Sequence, residues 1–330
     1  MKLFFKILYI FLFLSSLEAI EVNKNLMLDM NRTYGYYLGQ NYALENIEKK
    51  YPSLKNEIFL VKNEFDLKYL KAIKEVEQFF IKNMSKKQWS DFKKTIEDSV
   101  KKQVNTNISY EESLEAIQTG KARIKGDIES PVIETLLMFN PKYQKNPIEE
   151  INDKFLQTYN SKDNPKAKGV GFSVKVPKSW KSQEANRPNI VRKFTSNNGY
   201  IVEDTFMENI MLGVYDLPIE VKKLTSQDVT DICNDIPENS VLRECKTTTL
   251  ENLPVVIQRL KLNIKRLENS MNIEIIQYNI YFKNKVIMIQ GQVGAMNEKI
   301  SEKTLLERFE KFKPVFNYVA NSLMINNLYK

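Results

Sequence analysis

Histidine is absent from all 330 residues. That excludes catalytic triads built on an imidazole base, HExxH zinc helices and carboxylate–histidine iron sites, and leaves only carboxylate, Ser–Lys or tyrosine chemistry to any catalysis. Cysteine occurs twice, at Cys233 and Cys245, which is too few for a four-thiolate zinc site and too far apart for a CxxC redox pair. Glycine is scarce, with 10 residues, and neither a Walker loop nor GxGxxG occurs. Beyond the first nineteen residues no apolar run approaches the ~20 residues a membrane helix needs.

Those first nineteen residues carry the clearest signal. Lys2 and Lys6 make a basic start, Ile7 to Leu14 (ILYIFLFL) make a short apolar run, and Ser15 to Ala19 make a small, polar exit. This is the pattern of a cleaved export leader at residues 1–19, and it predicts a periplasmic or secreted protein. No cysteine lies near the exit, so a lipid anchor is not expected. In an oxidising compartment Cys233 and Cys245 are expected to form a structural disulfide, with two buried thiols as the alternative.

The net charge is +8, but lysines and acids interleave along the helical stretches, as in Glu48-Lys49-Lys50 and Lys62-Asn63-Glu64. This mixture reads as solvated helix faces and not as a nucleic-acid groove. The basic excess still favours peripheral contact with anionic lipid or envelope polymers.

Periodicity divides the mature chain into a helical domain at 20–140, a linker with a connecting helix at 141–168 and a sheet domain at 169–330. Leu26, Met30, Tyr34, Tyr37, Leu38, Leu44 and Ile47 form one stripe, and Ile58, Val61, Phe65, Tyr69, Ala72, Ile73, Val76 and Phe80 form a second. Ser85-x-x-Gln88 is a capping box, and Ser109 caps a fourth helix. Pro147 to Tyr159 is read as one connecting helix, followed by a polar spacer, Asn160 to Lys168. After it the period changes to two. Strands are predicted at 172–176, 190–194, 200–207, 211–215, 241–249, 255–267, 272–282 and 286–293, with a short helix at 225–232. A last helix from Ser301 has a single apolar face, which predicts one helix lying across one face of a sheet. The fold class is α+β: a helical N-terminal domain followed by an antiparallel sheet covered by helices.

Gly171 to Trp180 (GFSVKVPKSW), the hairpin NIYFKNKVIMIQGQV and the helix ending in Asn321-Ser322-Leu323 resemble the PsbP-like fold over about Lys166 to Leu323. In that fold a strand ends in a Pro-x-x-Trp turn, an antiparallel sheet follows, and a C-terminal helix packs back across it. The resemblance implies an α/β/α sandwich that binds or assists assembly, as fold alone does not fix function. Pro165 to Gly169 and Arg187-Pro188-Asn189 also resemble stretches of exported bacterial proteins of unassigned function.

Ser179 and Trp180, with Glu184, Arg187 and Asn189, form the densest polar and aromatic cluster; Trp180, Arg187 and Asn189 are candidate partner anchors, against the competing reading in which Trp180 plugs the sheet–helix core and Arg187 pairs with Glu184 or a helix end. Tyr34, Tyr37 and Tyr42, beside Gly35-x-x-x-Gly39, are candidate lining for a peptide or glycan groove. The glycine pair itself is read as close helix packing. Glu112-Ser113 faintly resembles the Glu-Ser of lytic transglycosylases, but that family's other blocks are missing, and a first-turn Glu favoured by the helix dipole explains it. No catalytic, cofactor or metal residue is assigned. The expected function is that of a non-enzymatic binding or assembly-assisting envelope protein, with another envelope protein as partner. The alternatives are a cofactor-free hydrolase of cell-wall glycan or peptide and a secreted host-interaction factor.

Overall fold

The computed structural model of the chain describes residues 22–104, 106–196, 206–266, 269–295, 300–326 and 328; the expected leader and the expected strand residues 200–205 lie outside these. Two compact units emerge, one ending at Lys145 and one beginning at Asn146. Together they make an α+β chain, with helices first and antiparallel sheets with helices after.

The helical unit contains α1 (Val22–Lys50), α2 (Lys55–Asn83), α3 (Lys86–Gln103), α4 (Tyr110–Ile124), α5 (Val132–Met138) and α6 (Pro141–Lys145). The α2 stripe from Ile58 to Phe80 is buried at each predicted position. Reciprocal capping boxes start α3 at Ser85/Gln88 and α4 at Ser109/Glu112. They satisfy N–H groups that the first turn would otherwise leave unpaired. The Glu112 carboxylate is therefore engaged by its own cap, accepting from the Ser109 N–H at 2.6 Å, and Ser113 is fully buried with its hydroxyl bonded to the Ser109 carbonyl. The Glu-Ser pair belongs to a helix start.

The sheet unit opens with α7 (Ile148–Asn152) and β1 (Leu156–Asn160), which corrects the expected single helix from Pro147 to Tyr159. Lys154 adopts φ +67° between them, a left-handed conformation that ends a helix. The stretch expected as a linker is structural. β1 pairs along β2 (Phe172–Pro177), and the buried Ser161 donates to the Val170 carbonyl while accepting from the Phe172 N–H. Its polar residues bond to neighbouring backbone, a use of polarity that composition alone does not distinguish from a solvated spacer.

β1, β2 and a terminal β10 (Met324–Ile325) form a three-stranded sheet around β2. The larger sheet contains β3 (Lys181–Gln183), β4 (Ile190–Ser196), β5 (Phe206–Asp216), β6 (Ser240–Leu250), β7 (Leu253–Arg266), β8 (Asn269–Phe282) and β9 (Lys285–Ala295). Its order is β3-β4-β5-β9-β8-β7-β6, with every neighbouring pair antiparallel. The predicted strand at 211–215 is the end of the continuous β5, whose Glu208 and Asn209 are buried and interrupt the hydrophobic pattern.

Helix α9 (Glu302–Asn321) covers one face of the large sheet through Leu305, Phe309, Phe312, Phe316 and Val319. Gly291 makes room for it: a Cβ there would lie 2.2 Å from Phe316 Cγ. The opposite face takes α8 (Ser226–Asn234), whose Ile232 packs with Val256, Tyr281 and Met288. Cys233 of α8 is joined to Cys245 of β6 in a disulfide, with Cα atoms 5.9 Å apart. On the chain-entropy model a closed loop of this size stabilises by about 3 kcal/mol.

One carboxylate ties α7 to the β2–β3 turn. Glu150, 4 % exposed, accepts from the Ser179 N–H at 2.8 Å and from the Ser179 hydroxyl at 2.7 Å. Burial pushes it up to about 7, and the bonds from Ser179 and the Lys178 N–H oppose this without cancelling it. Between its ordinary value near 4.5 and about 7 the folded protein binds the Glu150 proton more tightly than the unfolded chain does. Glu150 therefore stabilises fully below the lower value, and that contribution, about 3 kcal/mol, is lost as pH rises through the window. Glu150→Gln, neutral at every pH, is expected to flatten this part of the profile. Melting temperatures of both proteins at pH 5 and pH 7.5 check it, and equal slopes would reject the assignment.

Candidate functional site: a cleft between helices α1 and α3

The sheet-unit residues singled out from the sequence are absorbed by the fold. Trp180 is 4 % exposed and lies against Phe312 and Phe316, with ring centres 6.2 and 6.4 Å away. Its N–H closes the Pro-x-x-Trp turn onto the Pro177 carbonyl at 3.2 Å. It is a core residue, which corrects its reading as an exposed anchor. Arg187 is half-buried and acts electrostatically on the buried Tyr215. The Asn189 carbonyl accepts from the Val214 N–H at 2.9 Å, so this residue holds β5 in place. Burial takes Trp180 away from any surface that the half-buried Arg187 and Asn189 present.

The tyrosines are also redistributed. Tyr34 is 1 % exposed, donates to Glu77 at 2.8 Å and packs on Trp89, while Tyr37 stacks on Phe65. Both belong to the stripe that packs α1 onto its neighbours. The adjoining stripe, with Arg32, Gly35, Tyr36, Gly39, Gln40 and Ala43, lines a cleft of about 720 Å³. Across it stand Thr95, Ile96, Ser99 and Val100 of α3, and Arg123 of α4 closes one side. The volume lies within the roughly 300–1,000 Å³ of small-molecule sites.

Helical periodicity builds this wall. Residues three and four apart share a face, so Arg32, Gly35, Tyr36, Gly39, Gln40 and Ala43 run as a continuous strip. The glycines expose bare backbone along its floor. A Cβ on Gly35 would meet Ile96 at 3.6 Å and one on Gly39 would meet Val100 at 3.8 Å, ordinary contact distances, so α3 packs beside both glycines with room for an alanine at either position.

The polar centre is Gln40, 7 % exposed. Its Oε1 accepts from Arg123 Nη1 and from the Tyr36 hydroxyl, each at 3.2 Å. Those two donors fix which end of the amide is oxygen, and the remaining Nε2 is buried without a hydrogen-bond partner. The Arg123 guanidinium lies 5.0 Å from the centre of the Tyr36 ring. Burial pushes the Tyr36 hydroxyl up to about 12, against the opposing pull of Arg123, so it remains a neutral donor. Arg32 sits 3.7 Å from Asp29 with most of its side chain in solvent. The lining contains no Asp or Glu. Of the tyrosine helix singled out from the sequence, Tyr36 lines this cleft, whereas Tyr34 and Tyr37 do not. The signal for the cleft is the small-residue series Gly35, Gly39, Ala43, flanked by Arg32, Tyr36 and Gln40.

Among the described residues no group of three metal-ligating side chains occurs, and no helix is long and apolar enough to cross a membrane. Fold and cleft define a class: an α+β chain with a disulfide-linked sheet unit and a helix-lined cleft in a separate unit. No family model and no curated protein matches the sequence. Among solved structures the chain is similar to LpqN, involved in cell envelope biogenesis of Mycobacterium tuberculosis, at 11 % identity and a TM-score of 0.32, over 53 % of this chain and 96 % of LpqN. It is also similar to a protein from Bacteroides thetaiotaomicron VPI-5482 at 12 % identity and a TM-score of 0.26, over 48 % of this chain and 46 % of the other. Likenesses at this level carry no argument about function.

Proposed function

We propose that this chain is an exported, non-enzymatic binding protein of the bacterial envelope whose helical unit holds a small ligand in the α1–α3 cleft. The observation that carries the binding reading is Arg123: a guanidinium on an open cleft whose lining holds no Asp or Glu, oriented by Gln40 Oε1 and the Tyr36 ring. The export reading is supported by the leader pattern of residues 1–19 and by the engagement of both cysteines in a disulfide, the form that persists outside the cytosol. The resemblance of Gly171 to Trp180 to the PsbP-like fold supports a docking role for the sheet unit toward another envelope protein.

The test is native mass spectrometry of the protein purified from its own cells. The expected species begins at Ile20, has both cysteines oxidised and carries a bound small molecule. Ala43→Trp, which fills the cleft, is expected to lose that adduct while melting at the wild-type temperature. A wild-type protein without adduct, or an adduct that survives Ala43→Trp, rejects the cleft as the site. A retained leader with reduced cysteines rejects export.

A further inference from the structure

We infer that the cleft takes an amphiphilic anion, a carboxylate or phosphate head carried on an apolar chain. The inference rests on the reading of the cleft as a binding site and adds the chemistry of its ligand.

The cation beside Gln40, Arg123, is a donor without a carboxylate partner within ion-pair distance among the described residues; its Nη1 goes to the neutral Gln40, and its planar face lies over Tyr36. Glu129 is near enough to act on Tyr36, but it does not line the cleft. Arg32, paired with Asp29 at 3.7 Å but largely in solvent, adds a second guanidinium one helical turn from Tyr36. Two guanidinium groups, one of them without an ion-pair partner, over a lining without Asp or Glu select a ligand that accepts hydrogen bonds and bears negative charge. Guanidinium suits carboxylate and phosphate because its fork of N–H groups matches their paired oxygens.

Ala43, Ile96, Val100 and Val104 give the cleft an apolar strip, beside the polar Asn31, Thr95, Ser99 and Gln103. From Gly35 through Gly39 to Ala43 the floor runs about 12 Å at 1.5 Å per residue, with Ile96 and Val100 along its side. A bare inorganic anion would leave that floor wet, whereas an alkyl chain laid along it removes apolar surface from water at both partners.

The test is calorimetric titration of the mature, oxidised full-length protein with monomeric decanoate, with 1-decanol and with inorganic phosphate. Decanoate is expected to bind about tenfold or more tightly than 1-decanol, with phosphate weaker than both. Arg123→Gln is expected to weaken decanoate about tenfold and leave 1-decanol unchanged, and Arg32→Gln to act in the same direction. Co-sedimentation with phosphatidylglycerol vesicles distinguishes the source. Depletion of the lipid from vesicles identifies a membrane phospholipid, and decanoate binding without depletion identifies a free amphiphile. If 1-decanol binds as tightly as decanoate, or if Arg123→Gln changes both equally, the anionic head is wrong while the cleft stands as a site. If neither amphiphile binds wild type but phosphate does, the apolar chain is wrong. If no probe binds and the native protein carries no adduct, the binding reading itself falls.

Discussion

Trp180→Ala is expected to destabilise the protein by about 3–5 kcal/mol, the range for deleting a buried large aromatic side chain. The indole lies in the core with Phe312 and Phe316 of α9, and its own carbonyl accepts from Gln157 of β1 at 2.6 Å. Truncation leaves a cavity between helix and sheet that rigid strands do not collapse to fill. Denaturant unfolding followed by circular dichroism measures the loss as a lower midpoint with an unchanged slope. A Trp180→Ala protein as stable as wild type that loses an envelope partner would overturn this and restore the indole as a surface anchor.

Arg308→Ala is expected to cost a similar amount, about 3–5 kcal/mol, for an electrostatic reason. Glu208 of β5 is fully buried, and Arg308 Nε donates to its Oε1 at 2.5 Å. The guanidinium also lies 4.6 Å from the Phe206 ring centre and 5.6 Å from that of Phe312. Removing the cation leaves a carboxylate in a low-dielectric core without its counter-charge, which is far worse than never having placed it there. The double variant Glu208→Leu/Arg308→Met is therefore expected to recover most of the loss. A double variant no better than Arg308→Ala would show that the site depends on the aromatic contacts of Arg308 and not on the ion pair.

The elements legible in the sequence were those whose signal is local. The α2 stripe, the caps at Ser85 and Ser109, and the α9 face from Leu305 to Val319 depend on residues three or four apart, and that spacing is visible before folding. β5 was harder to read because Glu208, which interrupts its apolar pattern, is neutralised by Arg308 a hundred residues later. The segment 141–168 failed as a linker for a related reason. Its polar residues find partners in β2 and its neighbours, and a side chain bonded to backbone has the same composition as one in water.

The cleft shows the same division at the level of one helix. The sequence by itself determined that α1 would be amphipathic, that a glycine pair one turn apart would mark its side, and that catalysis through histidine was closed to this chain. It did not determine which tyrosine would face outward. Tyr34 and Tyr36 are two positions apart, about 160° around a helix at 3.6 residues per turn, so the placement of neighbouring helices buries one and leaves the other on the cleft. Only the tertiary structure set Arg123 of α4 against Tyr36 and Gln40 of α1, because a contact spanning 83 residues leaves no periodic trace in the chain.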